Sequence, residues 1–351
     1  MPQSIVLTDP RHDPKERHGV LDRLALRYIN DERDLPFVRL CAAIAVVLIP
    51  LAVYMYLPGR FRWWIGGVYL ALTFGLFFDR FILMLHNTSH RALFKKGYRR
   101  LNRFIPWVLG PLFGETPETY YAHHIGMHHP EENLPDDLSS TMAYRRDSVP
   151  HFLAYWARFF FGIVFELALY HARRRRWKLL RMMLVGEVAW YATVGLLLWV
   201  NWRATLVVFV VPFLAARFLM MAGNWAQHAF IDPADPANAY KSSIVCINCR
   251  YNRRCFNDGY HVGHHEKPNR HWTEMPADFE GKLARYAAEG AVVFEGIDYF
   301  VIWAWLMRKR YDKLADHFVD LGDEPRSRDE IIAFLRERTR PVPAPAPAVT
   351  A

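Results

Sequence analysis

Nine of the sixteen histidines in this 351-residue chain fall into spaced groups. HNTSH carries His86 and His90 at i and i+4, HHIGMHH carries His124 and His128 at the same spacing with His129 adjacent, and NDGYHVGHH adds His261, His264 and His265. A fourth group, GNWAQH, sets Asn224 four residues before His228. Side chains at i and i+4 of an α-helix share a face, a spacing that suits two imidazoles chelating one metal ion. Nine nitrogen donors are too many for one ion and fit two, each with a position left for an outside ligand. Imidazole binds iron, zinc and copper, so donor type alone leaves the metal open. A single HxxxH is commonplace on a surface. Four groups become a site only if the fold brings them together.

The elements that must do so are apolar. Hydrophobic residues make up 52% of the chain, and a mean hydropathy of −0.05 averages long apolar runs with densely charged loops. Four runs reach the ~20 residues a helix needs to cross a bilayer: 38–57, 64–85, 182–200 and 204–223. Aromatic and basic residues gather at their ends, as at membrane interfaces. The net charge of +9 is concentrated in 91–103 and 171–181, each with six Lys or Arg. By the positive-inside rule these loops and both termini face the cytoplasm. A juxtamembrane basic excess fits anionic headgroups rather than nucleic acid.

A fifth apolar run, 152–170, contains Arg158 and Glu166. As a crossing it would put His261–His265 on the opposite face from the other boxes, so it is expected to lie in the interface. The fold expected is all-α and membrane-integral: four transmembrane helices under a cytoplasmic helical cap that holds a two-metal site. Residues 1–37 form an N-terminal cytoplasmic segment without the apolar core of a cleavable signal, 38–310 the membrane unit, and 311–351 a polar segment ending in a disordered Pro/Ala tail.

HxxxH at 86–90, HxxxHH at 124–129 and HxxHH at 261–265, separated by paired spans, resemble the three histidine boxes of the membrane fatty acid desaturase family. That superfamily also includes alkane hydroxylases, sphingolipid- and carotenoid-modifying enzymes and alkene-forming fatty acid decarboxylases. NxxxH at 224–228 resembles the additional ligand pair of its acyl-CoA desaturase branch. Box one has Asn87 where many members carry an acidic residue, and box two has three intervening residues where many have two. The resemblance implies two iron ions held by His86, His90, His124, His128, His129, His228, His261, His264 and His265. It also implies dioxygen as co-substrate, a fatty acid or fatty acyl substrate, and desaturation as the reaction, with alkene-forming decarboxylation or hydroxylation as alternatives. No HPGG segment of a fused cytochrome b5 is present, so a separate donor such as a ferredoxin with its reductase is expected.

Other residues have narrower roles. Asn224 has a neutral amide that suits holding a water on the metal rather than replacing an imidazole. Asp258, and Asp136 or Asp137, are candidates to orient imidazoles from behind. Asp79, inside a span and seven residues before His86, is a candidate for the wall of a substrate channel or for a buried ion pair. His123 and His271 stand outside the ligand set. Four cysteines, three of them near CINC at 246–249, fall short of a four-ligand zinc site and read as reduced thiols. The absence of HExxH argues against a zinc protease, and the placement of the boxes at span ends argues against a transporter with its ligands at mid-membrane.

Overall fold

The computed structural model describes residues 5–14, 18–322 and 324–342; the Pro/Ala tail from 343 onward lies outside them. Two apolar helical hairpins stand side by side. The first joins α1 (Leu35–Tyr56) to α2 (Trp63–His90). The second is the run Trp177–Gln227, broken at Asn201, whose φ of −157° and ψ of 89° leave the helix. Its limbs are α5 (177–200) and α6 (202–227). The tips of the hairpins meet: Asn201 Nδ2 donates to Met55 O at 3.2 Å, and the Trp63 and Trp202 rings lie 6.3 Å apart. Trp63, Trp64, Trp199 and Trp202 are exposed around these tips, as an aromatic belt at a membrane surface would be. Residues 63–86 of α2 extend about 35 Å, enough for a ~30 Å hydrocarbon layer.

At the other end sits the cap. Helix α3 (119–131) carries the second histidine box. It leads through a tight loop to α4 (Val149–Arg173), which like α1, α2 and the 177–227 run is long and apolar enough to cross a membrane. The four helical segments that meet this description therefore differ from the four expected, because two of the expected spans form one broken run and α4 also qualifies. Yet both ends of α4 meet the segment that bears box two. Tyr155 OH donates to Ser139 O at 3.2 Å; near the other end His171 Nε2 donates to Ala122 O at 3.1 Å and Tyr170 OH to Glu131 at 2.5 Å. Its middle packs Ile163 and Leu167 against Ala122 and Met127, leaving Phe161 and Phe165 exposed. Its contacts with that segment, from Tyr155 to His171, cover about 24 Å of the helix.

The rest of the cap combines short helices with one departure from all-helical structure. Two four-residue strands, β1 (Ile244–Ile247) and β2 (Val292–Glu295), pair in parallel with Ile244 opposite Val292. Both are short β-branched apolar runs that are almost wholly buried, the kind of segment whose periodicity does not distinguish strand from helix. Between them α7 (His261–Glu266) carries box three. After β2, α8 (Tyr299–Met307), α9 (Tyr311–Asp316) and α10 (Arg328–Glu337) cover the strands. The segment after 310 is integrated through Arg146, a fully buried guanidinium that donates to the carbonyls of Ala229, Thr141, Met142, Tyr144, Arg338 and Arg340. Charge-assisted bonds of this kind contribute about 1.5–3 kcal/mol each when buried.

Candidate metal centre

The two hairpins bring the end of α2 and the end of α6 beneath the cap, so that residues far apart in sequence converge. Their ring nitrogens form two groups, each with all its donor atoms within 4.8 Å of one another and each able to hold a metal ion: His86, His90, His124, His129 and His264; and His128, His228, His261 and His265. In the first, Nε2 atoms are spaced 2.9 Å (His86–His264), 3.0 Å (His129–His264), 3.1 Å (His124–His129) and 3.0 Å (His90–His124). In the second, His261 lies 3.2 Å from His228 and 3.0 Å from His265. Nitrogens bound about 2.1 Å from one ion at right angles would stand roughly 3.0 Å apart, so the donors present fit a metal in each group.

The division of box two differs from the helical expectation. His124 and His128, at i and i+4, belong to different groups, and His124 is joined instead by His129. The cause is local: residues 124–128 wind wider than an α-helix, with His129 N–H bonded to His124 O. In such a turn i and i+5 align, a bulge often found at functional sites. Gly126 permits it, since a Cβ there would come within 2.9 Å of His171 Cε1 and Leu179 Cδ1. In α7 the ordinary helical turn keeps His261 and His265 together and sends His264 to the other group.

The far nitrogens of several rings are held by acceptors. His86 Nδ1 lies 3.3 Å from Asp258 Oδ1, His128 Nδ1 donates to Asp137 at 2.7 Å, and His228 Nδ1 to Ser242 O at 2.9 Å. A ring that donates through Nδ1, as at His128 and His228, presents Nε2 to its group as a lone-pair donor, the form a metal requires. Asp136 is instead exposed and paired with Arg174 at 3.1 Å. Burial, reinforced by neighbouring imidazoles, pushes His124, His129, His261, His264 and His265 far below the ordinary histidine range, and His228 down to about 3. Burial opposes ionisation of Asp137, but His128 and Ser139 hold it below the usual carboxylate range.

A cavity of about 330 Å³ descends between α2 and α6 to the histidines. Phe74, Phe78, Ile82, Leu83, Leu219 and Met220 form its apolar wall, and His86, His124, His128 and His261 reach it from both groups. Asp79 lines it and is also paired with Arg254 in a half-buried ion pair. Asn224 lines it too, with both amide hydrogens engaged by Ser139 O at 3.0 Å and Tyr155 OH at 2.7 Å. His123 joins neither group and lines the cavity with its ring parallel to His128 at 6.3 Å. His271 is bound to Asp34 at 3.1 Å, away from both groups. Sequence reasoning missed Tyr120, whose ring stacks on His124 at 5.2 Å; its place four residues before a box histidine was the available signal.

Apolar helical segments long enough to span a membrane are capped by two histidine groups, each able to hold a metal ion, that an apolar cavity reaches. The family model of fatty acid desaturase matches residues 61–296, and the chain belongs to that family. Comparison with curated proteins gives no match.

Proposed function

We propose that this protein is a fatty acid desaturase that uses dioxygen and two iron ions, one in each histidine group. Its membership of an oxidoreductase family and the cavity linking an apolar bundle to both groups support this reading, and the cavity carries it. Bound iron would supply the activation of dioxygen needed to take hydrogen from an unactivated C–H bond. His86, His90, His124, His129 and His264 would hold one ion, and His128, His228, His261 and His265 the other. Asp258 and Asp137 keep His86 and His128 in the tautomer that binds metal. The walls at Phe74, Phe78 and Met220 hold an acyl chain and exclude water, and the Asn224 amide oxygen is free to hold a water beside the second group. Residues 38–310 carry the activity. Electrons come from a separate donor such as a ferredoxin.

The metal centre faces the cytoplasm together with both termini, and α4 lies in the interface. A crossing would carry one end of α4 away from box two by the thickness of the bilayer, whereas both ends touch that segment. Cysteines placed by Phe61→Cys and Trp202→Cys should label from outside the cell, and Phe160→Cys should not. Labelling of the last from outside makes α4 a crossing.

The reaction is tested by mass spectrometry of lipids and headspace from cells expressing the protein with dioxygen and a ferredoxin system. The expected product is an acyl chain of unchanged length lacking two hydrogens. A volatile 1-alkene one carbon shorter than the supplied acid would replace desaturation with oxidative decarboxylation.

A further inference from the structure

The apolar cavity carries a carboxylate on its wall well away from the histidines. Asp79 lines it beside Phe78 on α2, and Arg254 reaches that carboxylate from the helical turn Arg250–Arg254, which precedes box three. Arg254 Nε donates to Asp79 Oδ2, and its Nη2 donates to Gly75 O at 2.6 Å. The guanidinium is thus fixed along one edge, and its Nη1 hydrogens have no partner among the described residues. Asp79 is fixed in turn, since its Oδ1 accepts the Arg80 N–H at 2.8 Å. The Arg254 and Asp79 side chains are 26% and 27% exposed. An ion pair as open as this contributes little to stability, whereas charge placed in an apolar span is costly and marks function by default.

The surroundings suit a molecule with an anionic end and an apolar body. Phe74, Phe78, Tyr251 and Phe300 line the cavity beside the pair, with ring centroids 5.1 Å apart for Phe74 and Phe78 and 6.2 Å apart for Tyr251 and Phe300. Arg80, next to Asp79, and Arg250 and Arg253, on the turn that bears Arg254, are exposed. Asp79 matches the charge of Arg254, and these three further arginines keep the rim positive, as at the level of anionic headgroups.

We propose that Arg254 anchors the carboxylate of an unesterified fatty acid through its open Nη1 edge, with Asp79 and Gly75 O holding the guanidinium in position. The inference rests on the desaturase reading and narrows its substrate to a chain with a free carboxylate. A planar guanidinium suits this ligand, because its fork can give a carboxylate parallel charge-assisted hydrogen bonds. The phenyl walls take the first part of the chain. Asp79 stands seven residues before His86, about 10 Å of helix. A carboxylate held at Arg254 therefore brings carbons from within the chain to the histidines, rather than those next to the carboxylate.

Binding of palmitate and of methyl palmitate to the purified full-length protein in nanodiscs tests the anchor without dioxygen or turnover. Wild type should bind the acid about tenfold tighter than the ester, the worth of one charge-assisted hydrogen bond. Arg254→Gln should weaken the acid to the level of the ester and leave the ester unchanged, which also reports an intact cavity. Asp79→Asn keeps an acceptor for Nε and removes a competing negative charge, so the acid should bind about fivefold tighter. Equal binding of acid and ester by wild type overturns the proposal, as does a preference that survives Arg254→Gln. Should Arg254→Gln lose the ester as well, Asp79→Asn decides, and acid binding no tighter than in wild type overturns the anchor. Palmitate that binds with the expected preference yet gives no oxygen-dependent product contradicts the desaturase reading and leaves the anchor standing.

Discussion

The two histidine groups are built from overlapping but unequal parts. One draws five imidazoles from α2, α3 and α7, with His90 and His129 only half-buried. The other draws four from α3, α6 and α7, all buried. Helices α3 and α7 serve both through adjacent pairs, His128–His129 and His264–His265, because successive residues on a helix point in different directions. Each hairpin anchors one group only, α2 through His86 and His90 and α6 through His228. The lesson is a division of labour: the cap sets the separation of the groups, and the bundle sets which group each hairpin closes. Five donors stand in one group and four in the other, and on the four-donor side Asn224 lines the cavity.

Losing an imidazole should have the largest effect. His264→Ala and His228→Ala should each lower turnover by more than the ~10–100-fold that removal of an outer partner typically costs. Each should also lower bound iron from two to about one per chain, the first emptying the five-histidine group and the second the four-histidine group. Loss of both ions in either variant would break the comparison and make the centre a single cooperative unit. Next come the carboxylates. Asp137→Asn and Asp258→Asn should cost about 10–100-fold in turnover or iron affinity, and metal titration should assign Asp137 to the four-histidine group and Asp258 to the five. The reverse assignment would separate the His128–Asp137 hydrogen bond and the His86–Asp258 contact from metal tuning. Asn224→Ala should have the smallest effect, about tenfold in turnover with both irons retained; near-wild-type turnover would take the amide out of the site.

Much of this was legible in the chain. The boxes could be read because their spacing survives any fold that brings the span ends together, whereas 152–170, set apart by Arg158, Glu166 and a parity argument, is by length and composition as able to cross a membrane as the other apolar segments. Its relation to box two, through Tyr155, Tyr170 and His171, could not be read because aromatic residues serve interfaces and cores alike. The allotment of His124 and His129 to one group was hidden for a different reason: the wider turn at 124–128 depends on what Gly126 packs against, and the contacts to His171 and Leu179 are tertiary. Arg146 looked like one more loop cation, yet the carbonyls it collects come from two distant segments as well as its own loop. The strands escaped because IVCI and VVFE are too short for their pattern to declare itself.

Titration of the iron-depleted protein with ferrous iron, scored for oxygen-dependent loss of two hydrogens from an acyl chain, tests the central claim most directly. With one ion in each histidine group, turnover should stay near zero until the second equivalent binds and should reach its maximum at two irons per chain. Full turnover at one iron per chain, or in the absence of iron, would contradict it.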